Sequence, residues 1–327
     1  MDKILLTGGT GFIGYNIALQ LFSQGYHVRL FTRGKKPFFE SDYVEYAFGD
    51  VRNYNDILSA MHGCNIVIHS AGLFTFDSKK RKEIYDINVT GTHNICRAIL
   101  ECKINRFIYT SSAATIGKQK GRVSDENTEF NLWSISSHYK KSKVLAEDIV
   151  WSFFKKYNIP VIVLNPSLPL GYYDIRPTST GMMVKNFLSS KQQVYINGGF
   201  NFVHVKDVAK AHLLAINRGR IGEKYIIGHE NMELCDFYKI LQQYNRGIML
   251  KEIPYFFAYL GSFFVAFLSY IRGKEPSVTP RGVQLSKKKM FYNSIKSQKE
   301  LGLVYTPIEE AIKDSVEWFK KQCYGYT

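Results

Sequence analysis

The sequence predicts an α/β protein: a doubly wound parallel sheet with helices on both faces, followed by a smaller α/β unit. Three observations carry this. An apolar run, Lys3-Ile4-Leu5-Leu6, leads into the glycine-rich stretch Thr7-Gly8-Gly9-Thr10-Gly11-Phe12-Ile13-Gly14 and then a helical pattern to Gln24. Short apolar runs alternate with helical repeats as far as residue 164, as parallel strands joined by crossover helices do. Beyond residue 170 the elements become shorter and less regular. The expected division is 1–170 and 171–327, the two units partly interleaved. At 327 residues the chain is long enough for either one large domain or two.

A strand, a glycine turn and a helix in that order make a phosphate cradle. Gly8 permits the tight turn. Gly11 puts no side chain between the backbone and a pyrophosphate, and Gly14 lets the helix pack close to the sheet. The helix N-terminus adds free N–H groups and the positive end of its dipole. Residues 26–32 read as the second strand. An NAD-preferring site carries an acid at that strand end. Here the chain reads Thr32-Arg33-Gly34-Lys35-Lys36, and the first acid after the glycine turn is Glu40. Arg33, helped by Lys36 or Lys35, suits a 2′-phosphate, so NADP(H) is expected ahead of NAD(H).

Residues 44–48 form the third expected strand, ending in Gly49-Asp50-Val51. A short helix over 53–61 and a strand over 65–69 follow. The turn Ser70-Ala71-Gly72 after that strand is small enough for backbone to line a cofactor. His69, at a strand end, is read as structural. Residues 80–102 show one apolar face at helical spacing (Ile84, Ile87, Gly91, Ile95, Ala98, Ile99) and contain Asn88. Residues 106–110 form the fifth strand.

That strand ends in Thr110-Ser111-Ser112. Tyr139 and Lys143 come 27 and 31 residues after Ser112, four apart on a helix expected over 136–157, so they share a face. Carbonyl reduction needs a proton donor beside the hydride acceptor. A free tyrosine is a poor acid–base at neutral pH, and a neighbouring ammonium is expected to lower its pKa. A serine hydroxyl at the strand end would hold the substrate oxygen. Tyr270/Lys274 and Tyr292/Lys296 repeat the tyrosine–lysine spacing far from the glycine turn and are set aside. Lys140 and Lys141 are expected to face solvent.

The spacing Gly-x-x-Gly-x-x-Gly after Thr7, with Asp50, Asn88, Ser112, Tyr139 and Lys143, resembles the extended short-chain dehydrogenase/reductase superfamily, whose branch includes the NAD-dependent epimerases and dehydratases. Segments 166–177, 218–225 and Lys287-Lys288-Lys289-Met290-Phe291 are similar to its dihydroflavonol-reductase-like group, which includes the hopanoid-associated sugar epimerases. The resemblance implies a Rossmann domain and an NAD(P)-dependent enzyme. It places Gly8, Thr10, Gly11, Phe12, Ile13, Gly14, Arg33, Lys36, Asp50, Val51, Ser70, Ala71, Gly72, Tyr139, Lys143, Pro166, Ser167 and Leu168 around the cofactor. Ser112, Tyr139, Lys143 and a supporting Asn88 would carry the chemistry, and pairs of chains would associate through helices 80–102 and 136–157. Reduction of a ketone or aldehyde is the expected reaction; a nucleotide-sugar epimerase or dehydratase is the alternative. The segment Phe202-Val203-His204-Val205-Lys206-Asp207-Val208 also resembles one of the family; nucleotide-sugar enzymes usually have an arginine two residues before its aromatic, and here that position is Phe200.

In the second unit, Arg176, Thr178 and Ser179 precede a helix expected over 182–190. Substrate contact and plain helix capping weigh equally for them. His204 is read as structural, and Asp207 opens a helix. Residues 253–271 contain no charge, yet Pro254, Gly261, serines and tyrosines dilute the run. A helix of the substrate unit is expected, with contact to a membrane surface or an apolar lid as the alternative and a true span last. Thr306-Pro307-Ile308-Glu309 reads as a capping box before the final helix.

The net charge of +15 suits anionic partners: a phosphorylated cofactor, an acidic substrate or a membrane surface. No zinc spacing, nucleic-acid motif or basic tail is present, so neither a metal site nor nucleic acid is expected. Five scattered cysteines without a Cys-x-x-Cys fit a reducing, cytoplasmic setting. No signal peptide is expected, because the first strand starts almost at Met1.

Overall fold

The computed structural model describes residues 2–34, 39, 42–75, 77–271 and 279–324. The first half runs β1 (Lys3–Thr7), α1 (Phe12–Ser23), β2 (His27–Thr32), β3 (Val44–Phe48), α2 (Tyr54–Met61), β4 (Ile66–His69), α3 (Arg81–Tyr85), α4 (Gly91–Glu101), β5 (Arg106–Thr110), α5 (His138–Tyr157) and β6 (Val161–Pro166). Then come β7 (Leu168–Leu170), α6 (Ser179–Ser189), β8 (Gln192–Tyr195), β9 (Gly199–His204), α7 (Val205–Arg218), β10 (Lys224–Ile227), β11 (Glu230–Glu233) and α8 (Leu234–Gln242). The chain closes with β12 (Met249–Glu252), α9 (Tyr255–Ile271), α10 (Pro280–Ser286), α11 (Ile295–Leu301) and α12 (Ile308–Tyr324).

Seven strands form one parallel sheet in the order β10-β6-β5-β4-β1-β2-β3. Parallel strands joined by helices are covered on both faces, so their side chains are apolar on both. Strand β1 shows this: Ile4 and Leu6 join the core under α1 and α7, while Leu5 joins the core under α2, α4 and α5. The order reverses between β1 and β4, and the ends of these strands meet at the crevice where such sheets bind ligands. The sheet takes its edge strand, β10, from well beyond residue 170, laid against β6. A second core, around Phe187, Phe202, Phe237 and Ile312, lies beneath the three-stranded sheet β11-β9-β7 and α12.

Three expectations need correction. The helix expected over 80–102 is interrupted by a π-helical turn, Asp86–Thr90, between α3 and α4. The helix expected from 182 begins at Ser179 because the Thr178 side chain accepts a hydrogen bond from Gly181 N–H (3.1 Å) and caps it. Thr306 forms no capping box: its N–H and hydroxyl both donate to Asp207 (2.8 and 2.9 Å), and the helix starts at Ile308.

Candidate active site

The phosphate turn is built by backbone that tolerates no Cβ. Gly8 has φ +76°, and a Cβ there would sit 2.5 Å from Ala71 N. A Cβ on Gly14 would lie 2.2 Å from Gly8 O. Gly11 is the N-cap of α1 and offers no side chain to that turn, and no acid lies in the first helical turn. Thr10 and Gly11 are exposed, with Phe12 and Ile13 half-buried behind them. An open helix N-terminus without a competing carboxylate fits a pyrophosphate.

A hydrogen-bonded chain ties this turn to its neighbours. Thr7 Oγ1 accepts from Ala71 N–H (3.2 Å) and lies 2.7 Å from His69 Nδ1. His69 Nε2 lies 3.2 Å from Thr92 Oγ1, which donates to Asn88 O (2.6 Å). One assignment satisfies every group: the proton on Nε2, with Nδ1 accepting from Thr7. Burial, then the charge of Lys143, pushes the His69 pKa down to about 3, so the ring stays neutral. His69 is fully buried in this structural role.

Asn88 sits on the π-helical turn, 2% exposed. Its Oδ1 accepts from Leu73 N–H (2.7 Å), and its Nδ2 donates to Leu73 O (3.1 Å) and Ser142 Oγ (2.9 Å). Ser142 donates in turn to Tyr139 O (2.7 Å). Asn88 therefore fixes the Ser70-Ala71-Gly72 loop against the first turn of α5.

Tyr139 and Lys143 share one face of α5, which starts at His138 with Ser137 as its cap. Ser112 lies two residues beyond β5, its hydroxyl accepts from Ala114 N–H (3.1 Å), and it acts on Tyr139 to lower that group's pKa. Phe74 packs edge-on against the Tyr139 ring at 4.8 Å. Lys143 is buried and donates to Thr110 O (2.8 Å) and Tyr109 Oη (3.3 Å). Burial pushes its pKa down to about 8, with Glu147 acting the other way.

The expected lowering of Tyr139 by Lys143 is not what the geometry gives. Burial raises the Tyr139 pKa and the nearby Ser112 opposes it, while Lys143 is turned onto Thr110 and Tyr109. Lys140 is also not fully solvent-facing: it is half-buried, and burial takes its pKa to about 8.

The remaining predicted residues divide. Pro166 ends β6 beside β5, Ser167 follows it and Leu168 opens β7; the Ser167 hydroxyl is buried without a partner among the described residues. Val51 touches Gly91 at the start of α4, where an added Cβ would come within 2.9 Å of its side chain. Asp50 is engaged by Arg52 (2.7 and 3.0 Å); that hydrogen bond holds its carboxyl below the usual range, and Arg33 adds to the effect. Arg33 is exposed, and Lys36 lies outside the described residues. In the second unit Thr178 both caps α6 and donates to Asp174 (2.8 Å), which favours capping over substrate contact. Ser179 is the first residue of α6, and Arg176 is exposed before it. No described His, Cys, Asp and Glu cluster could hold a metal ion.

Residues 4–228 match the NAD dependent epimerase/dehydratase family. The chain belongs to this family. It is 34% identical over its whole length, and 97% of the relative's, to a Synechocystis sp. protein provisionally named dihydroflavonol 4-reductase. It is 26% identical, over 97% of this chain and 98% of the relative, to sterol demethylase protein B of Methylococcus capsulatus. Among solved structures, the crystal structure of gox2253 is 35% identical and superposes with a TM-score of 0.87 over 98% of this chain and 99% of that one. UDP-glucuronic acid 4-epimerase from Bacillus cereus, solved with NAD, shares the fold at 18% identity and a TM-score of 0.77, covering 98% and 99% of the two chains.

For an epimerase/dehydratase-family chain, one buried group here is unannounced by the motifs. Glu147, 5% exposed, accepts from Thr115 Oγ1 (2.8 Å), Asn165 Nδ2 (2.9 Å) and the Ser111 hydroxyl. It braces the end of β5 from behind the site. The available signal was an acid one turn after Lys143 on the buried face of α5, beside Ala146 and Val150.

Proposed function

We propose that this protein is an NAD(P)(H)-dependent reductase that delivers hydride to a ketone or aldehyde, with NADP(H) preferred. The arrangement that carries the reading is Tyr139 with buried Lys143 one turn on along α5 and the Ser112 hydroxyl acting on Tyr139, at the same end of the sheet as the glycine turn. A bound nicotinamide supplies the hydride. Ser112 orients the carbonyl oxygen, and Tyr139 gives it a proton, so the carbonyl becomes an alcohol. With its pKa raised, Tyr139 keeps that proton at neutral pH. Lys143 supplies positive charge at the end of β5 and a donor for cofactor hydroxyls. Asn88 holds the loop and helix in register.

The first relative's name supports reduction. Phe200 weighs against a nucleotide-sugar substrate: it packs into the core around Ile116 and Met290 and offers a diphosphate no charge. The preference for NADP(H) rests on exposed Arg33 and on Asp50 being already paired with Arg52.

The test is to denature purified protein, identify any released nucleotide by mass, and titrate the emptied protein with NADPH and NADH. Tighter NADPH binding, reduced about tenfold or more in Arg33→Ala, is expected. Tightly retained NAD would overturn the reading in favour of an epimerase or dehydratase that recycles its cofactor.

A further inference from the structure

Helix α9 wears its apolar side outward. Phe256, Phe257, Leu260, Phe263, Phe264 and Phe267 are each between 52% and 65% exposed. Their spacing places them on one helical stripe. The polar groups face the other way. Ser262 is 1% exposed and donates to Tyr259 O (2.6 Å), and Tyr259 Oη accepts from Gln284 of α10 (3.1 Å). A helix on the surface of a water-soluble domain has the opposite arrangement. So many adjacent exposed aromatic rings form a patch that marks a contact surface.

The rim of the patch is basic. Lys251 is exposed in β12, just before the helix. Lys287 is exposed with its Nζ 4.8 Å from the Tyr255 ring, and Lys288 is exposed next to it. Glu252 is the only acid in residues 246–271, and residues 253–271 contain no charge. A phenyl stripe with a cationic rim matches an anionic lipid surface, in which rings enter the acyl boundary and lysines meet headgroups. A second copy of a chain with net charge +15 would bring like charges together. The helix has 17 residues, about 26 Å at the α-helical rise, shorter than a hydrocarbon core. No described helix is long and apolar enough to cross a membrane.

We propose that α9 lies in the plane of an anionic membrane surface, its phenylalanine stripe inserted and its basic rim on the headgroups. This inference does not depend on the proposed reaction. The test is co-sedimentation of the full chain with vesicles of phosphatidylcholine carrying about 30% phosphatidylserine, against pure phosphatidylcholine. Partitioning at least about tenfold stronger to the anionic vesicles, and weakened by salt, is expected. The triple variant Phe257→Ser/Phe264→Ser/Phe267→Ser should lose about a hundredfold or more in partitioning while keeping its circular dichroism and cofactor affinity. In Phe264→Trp, anionic vesicles should shift the emission to the blue, as controlled against the wild-type spectrum. Failure of the wild-type chain to pellet with anionic vesicles would overturn the proposal, as would equal binding by the triple variant. So would a wild-type dimer that the triple variant converts to monomer without any vesicle binding, since the stripe would then be an interface between copies.

Discussion

Helices α1 and α9 are both apolar, and neither carries an acid in its first turn or a base in its last. Their surroundings could hardly differ more. Helix α1 is held between the sheet and α7, and its Gly14 is there because backbone passes where a side chain would be. Helix α9 packs on α10, and a Cβ added to its Gly261 would meet nothing within 4 Å. Composition alone does not separate the two. Contact does: α1 buries Gly14, Asn16, Ile17, Ala18 and Leu21, whereas the phenylalanine stripe of α9 is left exposed among the described residues.

The largest effect should come from the densely connected region. Tyr139→Phe removes one hydroxyl at the end of β5. Turnover should fall about a thousandfold, the range expected for loss of a general acid, while cofactor titration stays unchanged. Near-normal turnover would falsify the assigned proton donor. Next is Gly14→Ala. Its Cβ would fall 2.2 Å from Gly8 O, backbone that cannot step aside, so a loss of about 3 kcal/mol by denaturant unfolding is expected together with weak dinucleotide binding. A stable, fully binding variant would show that the turn is looser than drawn.

Asn88→Ala tests whether the connections matter beyond stability. It leaves Leu73 N–H and Ser142 without their partner, at a cost of about 1–3 kcal/mol. If Asn88 positions the loop against α5, kcat should also drop about tenfold with a smaller change in KM, and Asn88→Asp should recover part of it. An unchanged kcat would leave Asn88 a purely structural residue.

The pH profile probes the same region more gently. Burial lowers Lys143 from its ordinary value to about 8. Above that pH the site loses its ammonium, while Tyr139, raised by burial, still holds its proton. The rate of carbonyl reduction should therefore fall about tenfold per unit above the lysine pKa. Lys143→Arg should carry the falling limb to higher pH. Lys140 also titrates near 8, so Lys140→Arg is the control that should leave the limb in place.

The contrast between the two helices also explains what could be read from the sequence. The sheet half was legible because its signals are local: glycines at fixed spacing, central strands such as β1 and β6 that are apolar on both faces, and a tyrosine and lysine one turn apart. The three-part helix, Arg81–Glu101, was legible as a helix, but the π turn at Asn88 was not, because the apolar face runs through it unbroken. Thr306 had the right sequence for a cap; Asp207, 99 positions away, took its N–H and hydroxyl. Glu147 is marked by its place on the buried face of α5, but its partners are not legible for the same reason, since they come from β6 and from the segment that follows β5. Helix α9 was read correctly as an element, yet which face it turns outward depends on α10, which no spacing rule within residues 253–271 contains.

The smallest effect sharpens the comparison most directly, because it repeats one substitution in the other helix. Gly261→Ala places the same methyl group that should disrupt α1 into open space on α9. Nothing there must move, and alanine restricts the unfolded chain and favours the helix. A gain of up to about 1 kcal/mol is expected, with cofactor affinity untouched. The sign is what matters. If Gly261→Ala destabilised the chain as Gly14→Ala should, α9 would have to be packed against something on that side, and its exposed stripe would need another account. If the two alanines act in opposite directions, the glycine in α1 is there for contact, and α9, though packed on α10, is open on its Gly261 side.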